Sequence, residues 1–125
     1  MLNDVLLHIG SAVIIVWGIA HLVPTGNIVA GFGDLSPDNT RIITMEWIAE
    51  GLTFIFIGLL VSLVTLLGWS RNHIAIIVYQ TSAAMLVVMA LLSQLTGART
   101  TLLPMKLCPY VKTTVAILFF LGSML

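Results

Sequence analysis

Four long apolar stretches, running over about residues 5–23, 41–67, 74–95 and 109–125, constrain this chain more than any other feature. Each approaches or exceeds the roughly 17–25 apolar residues that cross about 30 Å of hydrocarbon as a helix. Within hydrocarbon the backbone must satisfy its own polar groups, so segments of this length are expected to be helical. Charged residues make up only 8% of the sequence and mean hydropathy is +1.13. The expected fold is an all-α membrane protein: one domain over residues 1–125, built as an antiparallel bundle of four transmembrane helices whose first partner is the lipid bilayer.

The connections refine this picture. Met1–Asp4 carries no Lys or Arg and no small-x-small cleavage site follows, so the first stretch reads as a retained span. Pro24, Gly26, Gly31, Gly33 and Pro37 give the segment up to Thr40 turn chemistry, and Ser36-Pro37 reads as a helix cap followed by its first residue. The short corner Gly68–His73 predicts that the second and third spans are antiparallel neighbours. Pro109 reads as the start of the last span, with Lys112 snorkelling toward water. Arg41, Arg99, Lys106 and Lys112 then flank the two long loops and Arg71 the other side, which puts the loops in the cytoplasm and both termini outside.

Several function classes fall away. The Lys and Arg residues are too few and too dispersed to form the basic face a nucleic acid needs. One cysteine, Cys108, leaves neither an intrachain disulfide nor a CxxC pair, which argues against a cysteine-dependent quinone reductase. Gly31-Phe32-Gly33-Asp34 lacks the remainder of a phosphate loop, and no motif names a cofactor. His8 and His73 fall at the opposite end from His21, so no three-histidine metal site is expected.

The candidate residues are the ionisable groups at the edges of the spans, where charge is costly and often functional. Glu46 and Glu50 are four apart and share a helix face. Such a pair requires a shared proton, a cation or a basic partner, for which Arg41, Lys106 and Lys112 are available. His21 closes the first helix at the same membrane level, on a face with Ile14 and Gly18. Gly51, Gly58 and Thr65 recur at seven-residue spacing and offer a groove for close helix approach. On the third span, Gln80, Ala84, Val87, Leu91 and Gln94 form a stripe expected to face the bundle, bringing Gln94 toward His21 and Glu50. Trp17, Trp47, Trp69 and Tyr110 read as interfacial belt residues, and the methionines as packing.

The end of the first helix, Trp17-Gly18-Ile19-Ala20-His21-Leu22, followed by a glycine-containing loop, and the segment Gly51 to Gly58 resemble small bacterial four-helix membrane proteins of the DoxX type. The resemblance covers about the first half of the chain, lacks an arginine early in helix one, and carries over no functional residue. It implies a four-helix bundle in a bacterial inner membrane and association with membrane redox proteins. Three readings of function follow. The first is a binding or accessory bundle, in which His21, Glu46, Glu50 and Gln94 line a cytoplasmic-side pocket for a lipid-like or quinone-like molecule or a partner helix. The second is a membrane enzyme with His21, Glu50 and Glu46 as acid–base groups. The third is a dimeric proton- or cation-coupled transporter working through Glu50.

Overall fold

Local chemistry explains most of the helix boundaries in the computed structural model, which describes residues 1–125. Helix α1 (Leu2–Leu22) ends ahead of Pro24, which has no amide hydrogen to continue the ladder, although Val23 before it keeps helical geometry at φ −57°, ψ −46°. The following segment is not an open loop: Thr25–Ala30 forms a short helix, α2, that lays Val29 against the bundle. Ser36 caps α3 (Pro37–Leu66), its hydroxyl accepting from the Asn39 amide, with Pro37 at the first helical position. Gly68, at φ +74°, turns the chain where a side chain would be strained. Asn72 then caps α4 (His73–Leu95) by accepting from the Ile74 amide.

The last helix departs from expectation. Helix α5 runs Leu103–Met124 and contains Pro109 rather than starting there. Pro104 is tolerated in the first turn, where amides lack helical partners in any case. Pro109 removes one hydrogen bond further in, at a buried position where packing holds the helix. The helix therefore has 22 residues, about 33 Å, and is not a short span. The connection before it shrinks accordingly to Thr96–Leu102, with a single 3₁₀ turn at Gly97–Arg99.

The structure is all-helical, and α1, α3, α4 and α5 are each long and apolar enough to cross a membrane. Helix α1 lies between α3 and α5, and α4 packs on α5. Along α1 and α3, Gly18 meets Gly51 and Phe54, while Gly58 meets Ser11, Ile14 and Ile15. A Cβ on Gly58 would come within 2.5 Å of Ile15 and 2.8 Å of the Ser11 carbonyl, so only glycine allows this approach. Phe54, Val61, Tyr79, Leu86, Val115 and Phe119 fill the core between the helices.

Helices α3 and α4, though joined by the short corner, touch little. Near the corner the buried Tyr79 hydroxyl lies 3.0 Å from Thr65 Oγ1. Since Thr65 already donates to the Val61 carbonyl, Tyr79 is the donor of that bond. Beyond it the two helices part. The expected inward stripe is also reversed: Gln80, Ala84, Val87, Leu91 and Gln94 are all exposed. Ala75, Tyr79, Ser82, Ala83, Leu86 and Ala90 face inward instead, and the small ones among them let α4 approach α5 closely, which the long side chains of Gln80 and Gln94 would prevent.

Candidate functional site

The far end of the bundle from the corner gathers His21 of α1, Glu50 of α3, Ser93 of α4 and Lys112 of α5. Lys112 is the residue that sequence reasoning misplaced. It does not snorkel: its side chain is 1% exposed, and Nζ donates to Glu50 Oε1 at 3.0 Å and to Ser93 Oγ. The ammonium also sits 5.0 Å from the centroid of the Phe54 ring, so its charge meets a carboxylate, a hydroxyl and a π face. A buried ammonium is tolerated only with such compensation.

Glu50 is the shared member. Its other oxygen, Oε2, lies 3.7 Å from His21 Nε2, and its side chain remains 35% exposed. His21 itself is buried and held on several sides. Its ring stacks on Trp47 at 3.9 Å with 14° between planes, and stands nearly perpendicular to Phe54 with centroids 5.8 Å apart. Nε2 lies 3.1 Å from the Trp47 carbonyl, and the Trp47 indole donates back to the His21 carbonyl at 2.8 Å. Trp47 is thus the bracket that fixes the imidazole, not an interfacial belt residue. The signal available in the sequence was position: Trp47 lies one turn before Glu50 on the helix that α1 must meet.

The other candidates lie elsewhere. Glu46 is exposed, forms no ion pair, and sits one turn from Glu50 on the open side. Gln94 is exposed on the outer face of α4 and belongs to neither cavity at this end. No three His, Cys, Asp or Glu side chains come together as a metal-binding group. Around Glu50 the space a cation would take is filled by the Lys112 ammonium.

Two cavities flank the cluster. One, of about 350 Å³, lies on the His21 side among Trp17, Ala20, Trp47, Leu103, Met105 and Cys108. Eight of its eleven lining residues are hydrophobic and none carries a formal charge. The other, a groove of about 560 Å³, occupies the gap between α3 and α4. Glu46, Glu50 and Thr53 line it from α3, and Met85, Met89 and Leu92 from α4. Cys108 is buried inside α5 and walls the first cavity.

No protein-family model, curated protein or solved structure matches this chain. The resemblance to the DoxX type therefore rests on Trp17–Leu22 and Gly51–Gly58 alone, and the reading of function rests on geometry.

Proposed function

We propose that this protein is an antiparallel four-helix membrane bundle that binds a small apolar molecule, lipid-like or quinone-like, with its polar head against His21. The carrying observation is the cavity beside His21, apolar on nearly every wall, with the Glu50–Lys112 pair directly behind the imidazole. Its volume, about 350 Å³, is at the lower end for ligand pockets, so it suits one ring-sized head and not a whole phospholipid. Trp47, with the Glu50 carboxylate beside it, gives His21 a fixed orientation in an apolar setting, where a single hydrogen bond carries much of the specificity. In orientation, Arg41, Arg99 and Lys106 flank the cluster end against Arg71 at the corner, now without Lys112. We therefore assign that end to the cytoplasm of a bacterial inner membrane and both termini to the outside.

Bromine quenches indole fluorescence at near contact, which supplies a test. Trp17 and Trp47 line the cavity, whereas Trp69 lies at the corner, so a Trp69→Phe background reports on the site. In nanodiscs, a short-tailed para-bromophenol should quench the two indoles saturably. Ala20→Phe, which narrows the cavity, should abolish the saturable component, and Gln94→Leu should preserve it. Quenching that rises linearly in every variant would exclude a bound ligand.

A further inference from the structure

The imidazole of His21 has a determined polarity, and this selects the ligand. Two acceptors face Nε2: the Trp47 carbonyl at 3.1 Å and Glu50 Oε2 at 3.7 Å. Neither can donate, so the ring proton resides on Nε2. Lys112 and Glu50 balance each other in charge, and a neutral imidazole leaves the buried cluster without net charge. Nδ1 is then an unprotonated acceptor. It makes no hydrogen bond within the chain, yet it is not sealed from the surface. Much of the rest of the ring has neighbours: one face lies on Trp47, the Phe54 ring stands nearly perpendicular at 5.8 Å, and the Cδ2 side faces Gly51. The Nδ1–Cε1 edge is the part of the ring that these neighbours leave free, and His21 lines the cavity.

Resting on the binding function proposed above, we infer that the cavity selects a neutral, ring-sized molecule that donates a hydroxyl hydrogen to His21 Nδ1. That is a phenol or hydroquinone head, preferred over the corresponding quinone. A quinone oxygen is only an acceptor, and it would set lone pair against lone pair at Nδ1. A phosphate or carboxylate head is disfavoured twice, since it offers no donor at neutral pH and the cavity wall holds no free cation. The Glu50 carboxylate acts through the imidazole: with the Trp47 carbonyl it keeps the proton on Nε2 and Nδ1 open as an acceptor. It is a positioning residue for this recognition.

Three bromine-bearing rings with the same short tail test the inference by indole quenching in nanodiscs, with concentration expressed per lipid. They are the phenol, the arene lacking the hydroxyl, and the quinone. The phenol should bind roughly tenfold more tightly than either of the others, the size expected for one hydrogen bond to a buried acceptor. Equal binding of all three would leave the cavity as the ligand site and overturn the selection for a donor. Saturable binding of none would overturn the binding function itself, and this inference with it. His21→Phe keeps an aromatic ring and should erase the preference while retaining saturable quenching. A second readout does not depend on that variant folding. In protein carrying ¹⁵N-labelled histidine, the phenol should shift the His21 Nδ1 resonance and the arene should leave it in place. An Nδ1 resonance that carries a bonded proton before ligand is added would overturn the tautomer on which the selection depends.

Discussion

Helix α3 presents two seams, and they are built on opposite principles. Toward α1 it is closed by glycines: Gly51 and Gly58 bring backbone and side chains of α1 so near that a Cβ at either position would clash. Toward α4 it is held near the corner by Tyr79 and Thr65 and then opens into the groove beside Glu50. In a membrane, apolar side chains gain little by leaving lipid for one another, so helix association depends on close van der Waals contact and on polar pairs. The α1 seam has the contact, with the His21–Trp47 hydrogen bonds at one end of it, and the α4 seam has one hydrogen bond alone. A carboxylate at the open seam keeps access to its surroundings while its cation partner stays buried behind it.

The largest effect should come from breaking the closed seam. Gly58→Leu forces a branched side chain against Ile15, Ile14 and the Ser11 carbonyl and should cost about 3 kcal/mol or more. Reversible unfolding in mixed micelles, or the melting temperature in mild detergent, would measure it. An unchanged transition would mean that this face meets lipid and not α1.

The ion pair beneath the open seam should respond asymmetrically. Glu50→Gln strands an ammonium that is 1% exposed, leaving it only Ser93 and the Phe54 ring, at a cost of about 2 kcal/mol. Lys112→Met strands a carboxylate that is 35% exposed and can turn toward the groove, at a cost of about 1 kcal/mol. The double variant removes both charges and should recover most of the loss. If Lys112→Met proves the more damaging single change, the groove does not solvate Glu50.

The same contrast separates what could be read in the residues from what could not. The four apolar helices and the start of α3 at Ser36-Pro37 were legible, because hydropathy and cap chemistry act locally. Gly58 was legible as a contact, since a glycine is costly in a helix unless a neighbour needs the space. Lys112 was not: a lysine near a helix start ordinarily reaches for water, and only the tertiary arrangement of Glu50, Ser93 and Phe54 reverses that. The start of α5 was hidden for a similar reason, because packing carries the helix through Pro109. The outward amides of α4 were not legible, because a glutamine in a span suggests a partner inside the bundle, whereas Ser82, Ala83 and Ala90 on the other face matter only once α5 packs on them. Of the site, His21 and Glu50 stand out in the sequence as ionisable groups in apolar spans, while Trp47 and the cavity depend on how α1 and α3 cross.

The smallest effect, and the sharpest probe of the open seam, is expected from Tyr79→Phe. Removing the hydroxyl deletes the one polar bond between α3 and α4 while Thr65 keeps its own bond to the Val61 carbonyl, so no donor is left without a partner. The cost should be about 0.6 kcal/mol, typical of a hydrogen bond between membrane helices. Geometry should change more than stability. Spin labels at Thr53 and Met89 span the groove, and their distance distribution should broaden once the bond near the corner is lost. Labels at Ile19 and Leu52, outward positions on α1 and α3, should keep their wild-type distribution, because that seam is closed by Gly18 against Gly51. Broadening at both pairs would show that the two seams move as one. Broadening at neither would show that α5, packed against α4, and not the Thr65–Tyr79 bond, sets the width of the groove.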